Sequence, residues 1–132
     1  MNTQRLVQMD RTVAEKIHEE ALKRFGGLPG VRDEKLLESA LSQPWQTYGG
    51  QELYPSLEQK AAQLAYGIIK NHPFFDGNKR TGAALMATLM RLGGHPFRPD
   101  PQEFQETILA VASGQLDASG LCQWLESLRA QD

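Results

Sequence analysis

Cysteine is nearly absent from this chain of 132 residues: Cys122 stands alone. One thiol can form neither an intramolecular disulfide nor a cysteine-rich zinc site, which is compatible with a reducing compartment. Long apolar runs are missing too. The richest stretches, around Ala61 to Ile69 and Ala83 to Met90, are too short to span a membrane and contain Gln63, Gly67 or Thr88. Met1 to Arg11 has no apolar segment of the kind a secretory signal needs. No charge sign dominates, since 14 basic and 16 acidic residues leave a formal charge of -2. That excludes a general basic field for a nucleic-acid backbone, while a local basic patch stays open. There is no repeat, low-complexity segment or linker. What is present, 40% apolar and 23% charged residues, is ordinary globular composition. The expectation is one soluble, cytoplasmic domain over residues 1–132, with neither membrane nor direct nucleic-acid partner. A chain of this size buries roughly two-thirds of its unfolded surface, enough for one core.

The apolar periodicity predicts an all-α bundle of about six helices. Asp10 caps a first helix reaching Phe25, with a stripe of Val13, Ile17, Ala21 and Phe25 flanked by Ala14 and Leu22. Gly26-Gly27 stops it. Asp33 caps a second helix that buries Leu36, Leu37, Ala40 and Leu41 and ends at Pro44. Ser56 caps a third, striped by Leu57, Ala61, Leu64 and Ile68, which ends near Asn71 because Pro73 follows. A fourth, from about Lys79 to Leu92, is apolar nearly all round and is expected at the centre of the bundle. A fifth starts near Pro101 and ends near Ser113-Gly114. A sixth packs Leu121, Trp124, Leu125 and Leu128 on one side. Between the second and third, Thr47-Tyr48 and Leu53-Tyr54 flank Gly49-Gly50, which reads either as a short β-hairpin flap or as a plain surface loop.

One segment carries chemistry: His72-Pro73-Phe74-Phe75-Asp76-Gly77-Asn78-Lys79-Arg80-Thr81. It turns directly into the apolar fourth helix. A helix N-terminus offers unpaired N–H groups and the positive end of the dipole. Gly77 allows those N–H groups to converge as a nest. Lys79 and Arg80 add two cations where cations are normally unfavourable, so a polyphosphate fits there. Asp76 suits that company if Mg²⁺ bridges it to phosphate oxygens. His72 can accept a proton near neutral pH. Together these groups describe transfer from a nucleotide to a hydroxyl. The bland alternative is a polar helix-entry turn with a capping Asp or Asn.

The stretch resembles the signature loop of the Fic/Doc family, His-Pro-Phe-x-Asp/Glu-Gly-Asn-x-Arg. Val31-Arg32-Asp33 with Leu36 to Leu41, and Ala112-Ser113-Gly114 with Trp124-Leu125, are similar to flanking segments of the same family. Family members that transfer AMP usually carry Gly where Lys79 stands and a second Arg where Ala83 stands. Both departures point to the Doc (death-on-curing) branch. The resemblance implies a toxin of a toxin–antitoxin system that uses ATP and Mg²⁺. It implies kinase chemistry, in which the γ-phosphoryl group moves to a target hydroxyl. A threonine of elongation factor Tu is the known type of target, and its phosphorylation blocks translation. By the same resemblance His72 is the base and Asp76 holds Mg²⁺ or orients the reacting groups. Gly77, Asn78, Lys79 and Arg80 bind phosphates, Arg80 also acting in catalysis. Phe74 anchors the loop. Thr47, Tyr48, Gly49, Gly50 and Leu53 would form a flap that docks the target by strand addition. Ala84 stands where the prototype has a polar Asn, which leaves activity and substrate choice open. No Glu follows a Ser or Thr by four residues, the spacing of an internal inhibitory helix, so restraint is expected from a separate antitoxin.

Three other readings compete. One is AMP transfer on the same scaffold, and another is a non-catalytic nucleotide-binding or regulatory module. A remote third is a HEPN-type ribonuclease toxin, from the loose pattern of Arg11 and His18; otherwise His18 reads as a boundary residue of the first helix. A second His-Pro-Phe, at His95-Pro96-Phe97, lacks the charged continuation and reads as a loop packing its Phe. Cys122 reads as core, since no His or basic residue adjoins it.

Overall fold

In the computed structural model, residues 8–130 are described, and the two ends of the expected 1–132 domain lie outside the described residues. The elements are α1 (Arg11–Phe25), α2 (Glu34–Ser42), a 3₁₀ turn (Gln43–Trp45), β1 (Thr47–Tyr48), β2 (Gln51–Glu52), α3 (Leu57–Asn71), α4 (Asn78–Leu92), α5 (Pro101–Ser113) and α6 (Ala118–Ala130). The architecture is therefore all-α, as the periodicity predicts, and of the two readings of the Gly49-Gly50 segment the hairpin is the one found.

Local chemistry sets the boundaries. Asp10, Asp33, Ser56 and Asp100 each accept from a backbone N–H in the first turn of the helix they precede. Asp117 does the same for α6 through Gly120. Ser56 and Gln59 complete a reciprocal capping box. In the hairpin Thr47 pairs with Glu52 and Tyr48 with Gln51. Gly49 and Gly50, with φ of 57° and 80°, supply the two positive dihedrals that a tight turn between two-residue strands requires. All four strand residues are exposed. Lys60 of α3 holds the hairpin down: its side chain is buried, and its ammonium donates to the Glu52 carboxylate at 2.6 Å and to the Tyr54 carbonyl.

The centre of the bundle is α3, not α4. α3 packs against α2, α4, α5 and α6. Its small residues permit close approach: a Cβ added at Gly67 would stand 3.2 Å from that of Ala40 on α2. On the facing helix, a Cβ at Gly82 would stand 2.8 Å from Ile69. α4 buries Leu85, Met86, Leu89 and Met90, but Ala83 and Ala84 are half-buried and Leu92 is exposed. Apolar composition overstates the centrality of α4 because Lys60 and Glu58, polar by sequence, are buried on α3.

The buried face of α1 also differs from the expected stripe. Ala14 and His18 are its buried residues, while Val13 and Phe25 are exposed. A strict four-residue row turns about 40° per step around a helix of 3.6 residues per turn, so its ends leave the core face. α2 buries Leu37, Ala40 and Leu41 as expected, and α6 buries Leu121, Leu125 and Leu128.

Candidate active site

The loop from His72 to Gly77 joins the C-terminus of α3 to the N-terminus of α4, and it is fastened on three sides. His72 caps α3 in the left-handed region, at φ 50° and ψ 55°, which turns the chain sharply and leaves its ring exposed. Arg32 steadies that cap: Nε donates to the His72 carbonyl at 2.7 Å and Nη2 to that of Asn71 at 2.8 Å. The backbone N–H groups of Arg32 and Asp33 both donate to the Pro73 carbonyl, and that of Phe75 donates to Gly30. Within the loop, Asn78 accepts from the Phe74 N–H and donates to the Phe74 carbonyl, each at 3.0 Å. From α1, His18 Nε2 donates to the Asp76 carbonyl at 2.8 Å, and its ring stacks on that of Phe74 at 3.8 Å. Phe74 is thus the apolar anchor expected of it, at 1% exposure.

Asp76 is exposed, and one carboxylate oxygen accepts the Leu28 N–H at 2.7 Å. Gly27 has to be glycine for this approach, because a Cβ there would lie 3.1 Å from that of Asp76 and its φ is 127°. The other Asp76 oxygen stays available. One carboxylate with phosphate oxygens suits Mg²⁺. Among the described residues no group of three or more His, Cys, Asp or Glu could hold a metal.

α4 begins with no side-chain cap; Gly77 is its N-cap at φ 78°. The N–H groups of Asn78, Lys79 and Arg80, the first turn of the helix, therefore have no intrahelical partner. Lys79 and Arg80 are exposed, and neither has a carboxylate within salt-bridge distance among the described residues. The Arg80 guanidinium instead lies 4.0 Å over the Phe25 ring, a cation–π contact that ties it to the end of α1.

These groups open into a pocket of about 740 Å³. His72, Asp76, Gly77, Asn78, Lys79 and Arg80, all expected site residues, line it together. The other wall comes from α5 and is mainly apolar: Pro101, Phe104, Ile108 and Leu109, with Gln105 the one polar side chain among them. Phe25 and Phe75 complete the rim. A charged floor against an apolar wall suits a ligand with a polyphosphate at one end and an aromatic ring at the other. The apolar wall and Phe25 are missing from the sequence reading. α5 carries no motif, and Phe25 reads there as a core residue.

Residues 8–90 match the model of the Fic/DOC family. The chain belongs to that family. It is 43% identical over 76 residues to Toxin Doc of Mycolicibacterium smegmatis, covering 58% of each chain. The matched stretch thus spans a little over half the length of that relative. It is 26% identical over 112 residues to Protein kinase doc of Escherichia phage P1, covering 85% of this chain and 87% of the phage protein. Both relatives support the Doc branch.

Within this Fic/DOC chain several residues stand elsewhere than the sequence suggests. The Asn78 side chain, expected on phosphate, hydrogen-bonds Phe74 through both its oxygen and its nitrogen, while its backbone N–H belongs to the uncapped first turn of α4. His18 is no boundary residue; it is buried at 4% exposure beneath the signature loop. The ribonuclease reading loses its pair, because His18 is committed to Asp76 while Arg11 bridges Glu34 of α2 at 2.6 Å. Phe97 of the second His-Pro-Phe packs against Phe104 and Trp124, as expected of a loop anchor. Cys122 is half-buried, and burial together with the Glu126 carboxylate pushes its thiol up to about 11, so it is protonated and unreactive near neutral pH. No helix among the described residues is long and apolar enough to cross a membrane.

Proposed function

We propose that this chain is a Doc-type toxin that transfers the γ-phosphoryl group of ATP to a hydroxyl of a target protein. The observation that carries the reading is the uncapped N-terminus of α4, opening into a pocket that has His72 at one edge and a mainly apolar wall from α5. The names of the two relatives, a toxin and a protein kinase, agree with it.

Bound ATP with Mg²⁺ would supply the activated phosphoryl group and neutralise its charge. The chain's own residues do the rest. The first-turn N–H groups of α4, with Lys79 and Arg80, hold the phosphates and stabilise charge that builds on them. Asp76 offers its available oxygen to the metal. His72, exposed at the loop's start, takes the proton of the acceptor hydroxyl as the oxygen–phosphorus bond forms. The γ-phosphate leaves its bridging oxygen, and ADP departs. Phe104, Ile108 and Leu109 cover the base of the nucleotide. Lys79 fills space that a glycine would leave for an α-phosphate against bare backbone, which favours γ transfer. The exposed hairpin edge, from Thr47 to Leu53, docks an extended segment of the target. By family resemblance the target is a threonine of elongation factor Tu, and a separate antitoxin restrains the toxin.

Incubation with ATP labelled separately on its α- and γ-phosphates, with elongation factor Tu present, tests the reading. Transfer of the γ label is expected. Transfer of the α label would replace it with AMP transfer. No transfer to any lysate protein would leave a nucleotide-binding module.

A further inference from the structure

We propose that His18 is a positioning residue for the anion cradle: it selects the orientation of the Asp76–Gly77 peptide that turns the Gly77 N–H towards the pocket. The inference rests on reading that pocket as a polyphosphate site.

The Asp76 carbonyl can only accept, so the 2.8 Å contact fixes Nε2 of His18 as the donor. No peptide bond is cis, and in a trans peptide C=O and N–H point in opposite directions. With the Asp76 carbonyl turned onto His18, the Gly77 N–H is turned away from α1, and Gly77 lines the pocket. It joins the N–H groups of Asn78, Lys79 and Arg80 as a fourth donor. Glycine adopts either sign of φ with little penalty, so the loop alone would also permit the flipped peptide. The flip would place a carbonyl oxygen among the donors, where it repels an anion. His18, donating from Nε2, favours the unflipped peptide. Its ring cannot follow the flip, because it is buried and stacked on Phe74, which Asn78 holds by two hydrogen bonds. After a flip Nε2 could meet the Gly77 N–H only as an acceptor, which requires the other ring tautomer.

Three variants of the full chain separate positioning from packing. His18→Phe keeps a stacked ring and loses the donor. His18→Gln keeps a donor amide, and His18→Leu keeps neither. Calorimetric binding of inorganic tripolyphosphate is measured beside thermal melting, and KM for ATP beside kcat. His18→Phe is expected to melt near the parent while binding tripolyphosphate about ten- to a hundredfold more weakly. KM for ATP should rise by a similar factor with a smaller change in kcat. His18→Gln should recover most of the affinity, and His18→Leu should bind no better than His18→Phe. Parent-like binding by His18→Phe would overturn the proposal. So would equal weakening in His18→Phe and His18→Gln, which would reduce His18 to packing. If His18→Phe does not fold, His18→Leu takes its place: weaker binding by His18→Leu than by His18→Gln supports the role, and equal binding by the two overturns it. A parent protein that binds no tripolyphosphate overturns both the cradle and the role. One that binds it, with the variant pattern above, but transfers no phosphoryl group supports the role and overturns the proposed activity.

Discussion

The chain contains the tripeptide His-Pro-Phe twice, and the two copies end in opposite states. Both bury the phenylalanine: Phe74 and Phe97 are each 1% exposed. Both contain one residue with positive φ, but in the first it is the histidine (His72, 50°) and in the second the phenylalanine (Phe97, 47°). His72 is exposed at the pocket, whereas His95 is 8% exposed. The difference comes from one backbone group, the N–H of the phenylalanine. In the second copy His95 Nδ1 accepts it at 2.9 Å, so the ring is consumed. In the first copy Asn78 accepts it at 3.0 Å, and the ring of His72 is released. A buried N–H must find some partner. The residue that supplies one decides whether the histidine is left for chemistry. The asparagine of the signature thus serves the proposed base indirectly, by accepting the N–H that His95 accepts in the second copy.

The comparison can be tested from its strongest contrast downwards. His72→Ala should lower phosphoryl transfer by about 10²–10⁴-fold with an unchanged melting temperature. His95→Ala should reverse that pattern, reducing stability and leaving transfer per folded molecule near the parent. Phe97→Ala empties the ring position between Phe104 and Trp124 and should cost about 3–5 kcal/mol in denaturant unfolding. Asn78→Ala strips the partners from the Phe74 N–H and carbonyl. It should cost about 1–3 kcal/mol of stability and also lower transfer, as His72 becomes free to turn inward. Retained transfer in Asn78→Ala would break the comparison. Phe25→Leu removes the ring under Arg80 and should raise KM for ATP only a few-fold, the size of an exposed cation–π contact worth about 0.5–1 kcal/mol.

The helices and the signature loop were legible in the sequence because caps and breakers mark them locally. Asp10, Asp33, Ser56 and Pro73 each act within a few residues of where they stand. The hairpin was legible as one of two readings, through Gly49-Gly50. The long-range supports were not. Nothing near His18 announces that it will meet Asp76, 58 residues on. Nothing near Arg32 points to the carbonyls of Asn71 and His72. Hydropathy ranked α4 above α3 because it cannot register a buried lysine with partners. The same limit put Phe25 in the core, since a large apolar residue at helical spacing reads as buried until a neighbouring cation takes its face.

The fastening of the loop has a consequence for inheritance. His72, Pro73, Phe74 and Asp76 are each held by residues that lie between His18 and Asp33 or by Asn78. In a genetic selection for cells that survive production of this chain, silencing changes would not gather only in the signature loop. A second group would fall on His18, Gly27 and Arg32. These positions touch no proposed ligand, so their loss would read as unexplained unless the loop's moorings are known.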